Sequence, residues 1–170
     1  EALKLHLQND PKERAENIMI VDLVRNDLSR IAKKGSVQVS ELCGIHTFET
    51  VHQMISTVEC EVEQDLPFMD ILKASFPMGS MTGAPKVEAM KIIDETEDFN
   101  RGIYSGSVGY ISPNGDFDFN VVIRSMIYNR EKKYLSCAVG GAITILSDPE
   151  KEFEECQTKI QKILNGMYAE

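Results

Sequence analysis

Ser107-Val108-Gly109-Tyr110-Ile111-Ser112-Pro113-Asn114-Gly115-Asp116-Phe117-Asp118-Phe119-Asn120-Val121 is the stretch on which the fold class turns. Ile103 to Ser112 reads as a strand, Pro113 to Asp116 as a turn, and Phe117 to Tyr128 as the returning strand. Asn129 to Lys132 turns again, into a third strand from Lys133 to Val139. Strands joined by such short turns pair antiparallel, because a parallel neighbour needs a crossover of roughly a dozen residues or more. Upstream, Ser36 to Leu42 alternates as a strand, and Thr47 to Val62 is rich in β-branched residues, as one long strand or two short ones. Helical patterns flank these strands: Pro11 to Lys33 with Gly35 as its stop, Phe68 to Ser75, Pro85 to Glu97, and a last helix after Pro149. The expectation is an α+β fold of antiparallel sheets with flanking helices, not a doubly wound parallel sheet.

Two helix starts carry the same acidic pattern. Asp10-Pro11-Lys12-Glu13-Arg14-Ala15-Glu16 and Asp148-Pro149-Glu150-Lys151-Glu152-Phe153-Glu154-Glu155 each place Asp before Pro, a helix-opening signal. Glu13 and Glu16, like Glu152 and Glu155, are three residues apart and share a helix face. Brought together, the four carboxylates would offer hard oxygen donors to magnesium and, through it, to an anionic substrate. The plainer reading is that acidic residues favour the first turn of any helix through the macrodipole.

Two further segments carry chemistry. Gly79-Ser80-Met81-Thr82-Gly83-Ala84-Pro85-Lys86 is a glycine-bearing loop entering a helix; it reads as an anion cradle or as a simple connector. It lacks the G-x-x-x-x-G-K-[ST] spacing of triphosphate sites. Tyr104 and Arg124 sit on strands expected to pair, a phenol and a guanidinium fork suited to a carboxylate. Alternation puts Arg124 opposite Phe117, Phe119, Val121 and Ile123, so its other reading is a side chain pointing to water. His6, His46 and His52 show no ligand spacing, and His52 reads by default as a structural histidine. Asp22-Leu23-Val24-Arg25-Asn26-Asp27 reads as helix-face polar contacts or a buried ion network.

Composition sets the outer bounds. The chain has 170 residues, 42% hydrophobic and 26% charged, the balance of one soluble globular domain, and no Gly/Ser linker or repeat divides it. A chain of this size buries about 70% of its unfolded surface. The net charge of −9 argues against nucleic acid as a partner. No apolar run approaches the roughly 20 residues that span a bilayer. Cys43, Cys60, Cys137 and Cys156 are scattered, which excludes zinc-ribbon and thioredoxin patterns and leads us to expect reduced thiols and a cytoplasmic location. The chain opens at Glu1 without a signal-peptide pattern, and a fragment or processed product is the expectation.

Taken in order, these motifs resemble those of the chorismate-utilising enzymes, the family of anthranilate, aminodeoxychorismate, isochorismate and salicylate synthases. The likeness is carried by Glu13 to Asp27, Gly79 to Lys86, Tyr104-Ser105-Gly106, Ile123-Arg124-Ser125 and Asp148 to Glu155, and it spans essentially the whole chain. It implies that residues 1–170 are the C-terminal portion of the chorismate-binding catalytic domain, its N-terminal part absent. It implies that Glu13, Glu16, Glu152 and Glu155 bind Mg2+, and that Tyr104 and Arg124 hold the enolpyruvyl carboxylate. Gly140 and Gly141 match a glycine turn whose amides face a substrate carboxylate. Ser80 takes the place of a hydroxyl residue near the reacting ring, and Lys86 and His52 join the catalytic candidates. Where the family often carries a proton-transferring histidine, this chain has Gln53, with His52 adjacent but on the opposite strand face.

Ser80 to Lys86 and Val51-His52-Gln53-Met54-Ile55-Ser56-Thr57 are most similar to aminodeoxychorismate synthase component I. That likeness implies amination of chorismate toward p-aminobenzoate and folate, with a glutamine amidotransferase subunit as ammonia source. The alternatives are anthranilate synthase component I and a non-catalytic chorismate-binding fragment. The segment expected to carry the family's nucleophilic lysine lies upstream of Glu1, so this chain alone is expected to be a weak catalyst or none.

Overall fold

The computed structural model describes residues 1–49 and 51–168. They form two compact units, Glu1–Asp98 and Phe99–Glu170. In the first, helix α1 (Ala2–Asn9) precedes helix α2 (Pro11–Ser29). The hairpin β1 (Gln38–Thr47) and β2 (His52–Glu59) follows, then α3 (Phe68–Ser75) and α4 (Lys86–Thr96). In the second, β3 (Ser107–Ile111) pairs with β4 (Phe117–Val121), and β5 (Ile127–Asn129) with β6 (Tyr134–Ser136). Helix α5 (Pro149–Tyr168) closes the chain. All three hairpins are antiparallel and two-stranded, and the class is α+β.

The Asp-Pro starts act as the sequence dictates. Asp10 Oδ1 accepts from the amides of Lys12 (2.9 Å) and Glu13 (3.1 Å), with Pro11 opening α2. Asp148 Oδ1 accepts from Glu150 (3.1 Å) and Lys151 (3.2 Å) beyond Pro149. Such caps satisfy amides that the first helical turn leaves without partners, each worth about 1 kcal/mol. Helix α2 buries Val21, Leu23 and Asp27 and packs on β1, β2 and α3. Gly79 is buried against it, and a Cβ there would overlap Leu23 Cδ2.

Several sequence expectations need correction: the strand expected from Ile103 begins at Ser107, leaving Tyr104 in a turn, and the third strand is only Tyr134–Ser136. Helix α1 carries no side-chain N-cap bond, so nothing in the residues announced it. Helix α2 ends at Ser29 instead of Lys33, because the chain turns to pair with the segment after β2: Ala32 bridges Val62, and the Lys33 amide donates to Glu61 O at 2.8 Å. The first strand runs on to Thr47 through a bulge, with Leu42 and Cys43 together facing Ser56. The strand expected from Phe117 to Tyr128 is cut after Val121. Arg124 lies at φ +50, which ends the pleat, so the alternation that placed it opposite Phe117 and Phe119 does not reach it.

Candidate active site

The second unit gathers part of the expected site at the glycine pair. Tyr104 stands at the open end of the β3–β4 hairpin, where the Ser105 amide donates to Val122 O (3.0 Å) and the Val122 amide to Gly106 O (2.9 Å). A Cβ built on Gly140 would come within 3.0 Å of the Tyr104 hydroxyl. One built on Gly141 would come within 3.1 Å of Glu152 Oε2 and 3.9 Å of Cys156 Sγ. The glycines thus let a phenol and a carboxylate close onto the backbone of one two-residue segment. Glu152 is buried at 5% exposure in the first turn of α5. Lys159, which the sequence reading passed over, ties the cluster: its Nζ donates to Gly140 O (3.0 Å) and pairs with Glu155 Oε1 (2.5 Å). Its four-residue spacing from Glu155 was the available signal. Arg124 is exposed, and its guanidinium makes no hydrogen bond or ion pair among the described residues.

In the first unit, Glu13 is exposed and Glu16 half-buried with Lys12 Nζ 3.5 Å away. One residue on, Asn17 Oδ1 accepts from Ser56 Oγ (2.5 Å) and lies 3.6 Å from Cys43 Sγ, while the Cys43 amide donates to Ser56 Oγ (2.8 Å). Lys86 reaches back to α2, to Asp27 Oδ2 (2.5 Å) and Pro77 O (2.8 Å). This is the buried ion network suggested by the Asp22–Asp27 segment. Ser80 is exposed on the loop that this pair secures. His52 Nδ1 is 3.0 Å from Thr47 Oγ1, and Gln53 faces His46 across the hairpin. His46 Nε2 lies 3.0 Å from both carboxylate oxygens of Glu41.

Among the described residues, no three His, Cys, Asp or Glu groups stand together as a ready metal cluster. The four glutamates fall two to each unit. Their chemistry fits a hard divalent cation, since each helix offers two carboxylates one turn apart. Glu16 and Glu155 are each attended by a lysine that such an ion would displace. The four cysteines are free thiols, and burial pushes the Cys60 thiol up from its ordinary value of 9.0. No helix among the described residues is long and apolar enough to cross a membrane.

Residues 1–165 match the family described as chorismate binding enzyme, and the chain belongs to that family. It is 47% identical over 167 residues to the chloroplastic aminodeoxychorismate synthase of Arabidopsis thaliana, covering 98% of this chain and 18% of that protein. It is 45% identical to aminodeoxychorismate synthase component 1 of Klebsiella aerogenes, over 95% of this chain and 35% of that one. The crystal structure of anthranilate synthase component I from Streptococcus pneumoniae superposes with a TM-score of 0.83 at 39% identity, over 95% of this chain and 37% of that one. The chain therefore spans well under half of the proteins it resembles.

Proposed function

We propose that this chain belongs to the chorismate-binding part of an aminodeoxychorismate synthase. The reaction is replacement of the C4 hydroxyl of chorismate by ammonia, giving 4-amino-4-deoxychorismate and water on the way to p-aminobenzoate and folate. The observation that carries this reading is the closeness of Tyr104 to Gly140 and of Glu152 to Gly141, all on residues of the family pattern. Chorismate is a dianion and the chain carries a net charge of −9, so binding has to be organised by local groups. Tyr104 and Arg124 orient the enolpyruvyl carboxylate, the phenol donating one hydrogen bond and the guanidinium two. The amides of Gly140 and Gly141 face a substrate carboxylate. By the family pattern the ligands to magnesium would be Glu13 and Glu16 of the first unit and Glu152 and Glu155 of the second, and the ion's contribution when bound is Lewis-acid assistance to departure of the ring hydroxyl. By the family pattern Ser80 takes the place of a hydroxyl residue that serves the reacting ring, Lys86 secures the Ser80 loop through Asp27 and Pro77, and His52 is the candidate proton carrier. Holding the ring in one pose raises the effective concentration of the incoming amine. A glutamine amidotransferase subunit supplies the ammonia, and the setting is cytoplasmic.

Calorimetric titration of chorismate with and without magnesium tests the site. Binding that needs the metal and is lost in Glu155→Gln is the expected result; metal-independent binding unaffected by Glu155→Gln would refute it. The 39% identity to an anthranilate synthase supports the 2-amino product as a second reading. Mass and NMR of the ammonia-dependent product separate the two by ring position.

A further inference from the structure

The hydrogen bonds between α2 and the β1–β2 hairpin converge on Asn17 Oδ1, which lies on the helix turn that carries Glu13 and Glu16. The Ser56 hydroxyl accepts from the Cys43 amide and donates its own proton to Asn17 Oδ1. The Cys43 thiol approaches the same oxygen at 3.6 Å. Cys43 is buried at 5% exposure and sits at φ +53, a left-handed conformation that costs a non-glycine residue on the order of 1 kcal/mol or more. At the bulge, where Leu42 and Cys43 stand against Ser56, the Cys43 amide is aimed at Ser56 Oγ and the Cys43 thiol at Asn17. A strained residue, a bulge and a short hydrogen bond therefore coincide one residue from Glu16 and four from Glu13.

We propose that Asn17, clamped by Ser56 and Cys43, is a positioning residue that sets the rotation of α2 and so the aim of Glu13 and Glu16. This rests on the reading of those glutamates as metal ligands.

The test is electron paramagnetic titration of the 170-residue chain with Mn2+, alongside thermal melting, for the wild type, Glu16→Gln, Asn17→Ala, Ser56→Ala and Ser56→Thr. Groups that orient metal ligands typically change affinity by about 10- to 100-fold when removed, so Asn17→Ala and Ser56→Ala should weaken Mn2+ by roughly tenfold. Ser56→Thr keeps the hydroxyl on a residue type that strands favour, and should restore affinity. Ser56→Ala and Asn17→Ala variants that melt lower yet bind Mn2+ as the wild type does would overturn the proposal, leaving the clamp a purely structural contact. Should Glu16→Gln also leave binding unchanged, the metal reading itself falls and the positioning role with it. Loss in Glu16→Gln alone refutes only the positioning role.

Discussion

Replacing Lys86 by Met removes the cation from a carboxylate that has almost no access to water. The Asp27 side chain is 5% exposed and that of Lys86 16%, so neither partner is much screened. Breaking such a buried pair by deleting one member typically costs about 3–5 kcal/mol, because the remaining charge stays buried and uncompensated. At the lower end, and at about 4 °C per kcal/mol for a unit of this size, the melting temperature of the first unit should fall by on the order of 10 °C. Replacing both partners, Asp27→Leu with Lys86→Met, should recover most of that loss, since a well-packed apolar pair is often neutral. Thermal and urea melts of the two single variants and the double variant close the cycle. The reasoning is refuted if Lys86→Met melts close to the wild type, or if the two single losses simply add. Either result would mean that water reaches Asp27 and that the pair does not secure the loop carrying Ser80.

Gly141→Ala should push Glu152 Oε2 away by a few tenths of an ångström, and chorismate titration should show affinity about tenfold weaker with the melt little changed. Lys159→Met frees Glu155 from a half-exposed pair worth about 0.3–0.5 kcal/mol, so Mg2+ should bind about twofold tighter by calorimetry; weaker binding would show that Lys159 supports the site instead. Asp148→Ala strips the cap of α5 and should cost about 1 kcal/mol in urea unfolding; an unchanged midpoint would show that the cap is not needed. Cys60 keeps its proton longer when folded than when unfolded, so it contributes stability below pH 9.0 that is lost as the pH climbs above that value. Melting the wild type and Cys60→Ala across that range should show a steeper decline in the wild type, and parallel curves would contradict it.

Where a side chain speaks to its own backbone, the sequence was readable. Asp10-Pro11 and Asp148-Pro149 opened helices as expected, Phe68–Ser75 matched at both ends, and the Asn114-Gly115 turn folded the β3–β4 hairpin. What escaped depends on distant partners or on backbone that pattern rules do not foresee. The end of α2 was decided by residues 61 and 62, some thirty positions away. The left-handed backbone falls on Cys43 and Arg124, residue types that do not announce it. Tyr104, the two glycines and Glu152 were named from the chain and meet in space, yet the attachments of Asn17 and Lys159 were not, because a polar residue on a helix does not reveal which oxygen it will find.

Helix α2 can also be regarded mechanically, as a beam with a load near one end. Held only by Lys86 at Asp27, it would pivot about 21 Å from Glu13, taking 1.5 Å per residue, and a tilt of about 5° would sweep that carboxylate through about 2 Å. The Ser56 clamp at Asn17 moves the pivot to about 6 Å, and the same tilt then displaces it by only about half an ångström. Bracing near the load therefore limits the swing more than the strength of either fastening does. A long helix can thus be anchored through a loop at its far end and still deliver its acidic tip accurately, provided one short strut stands close behind it.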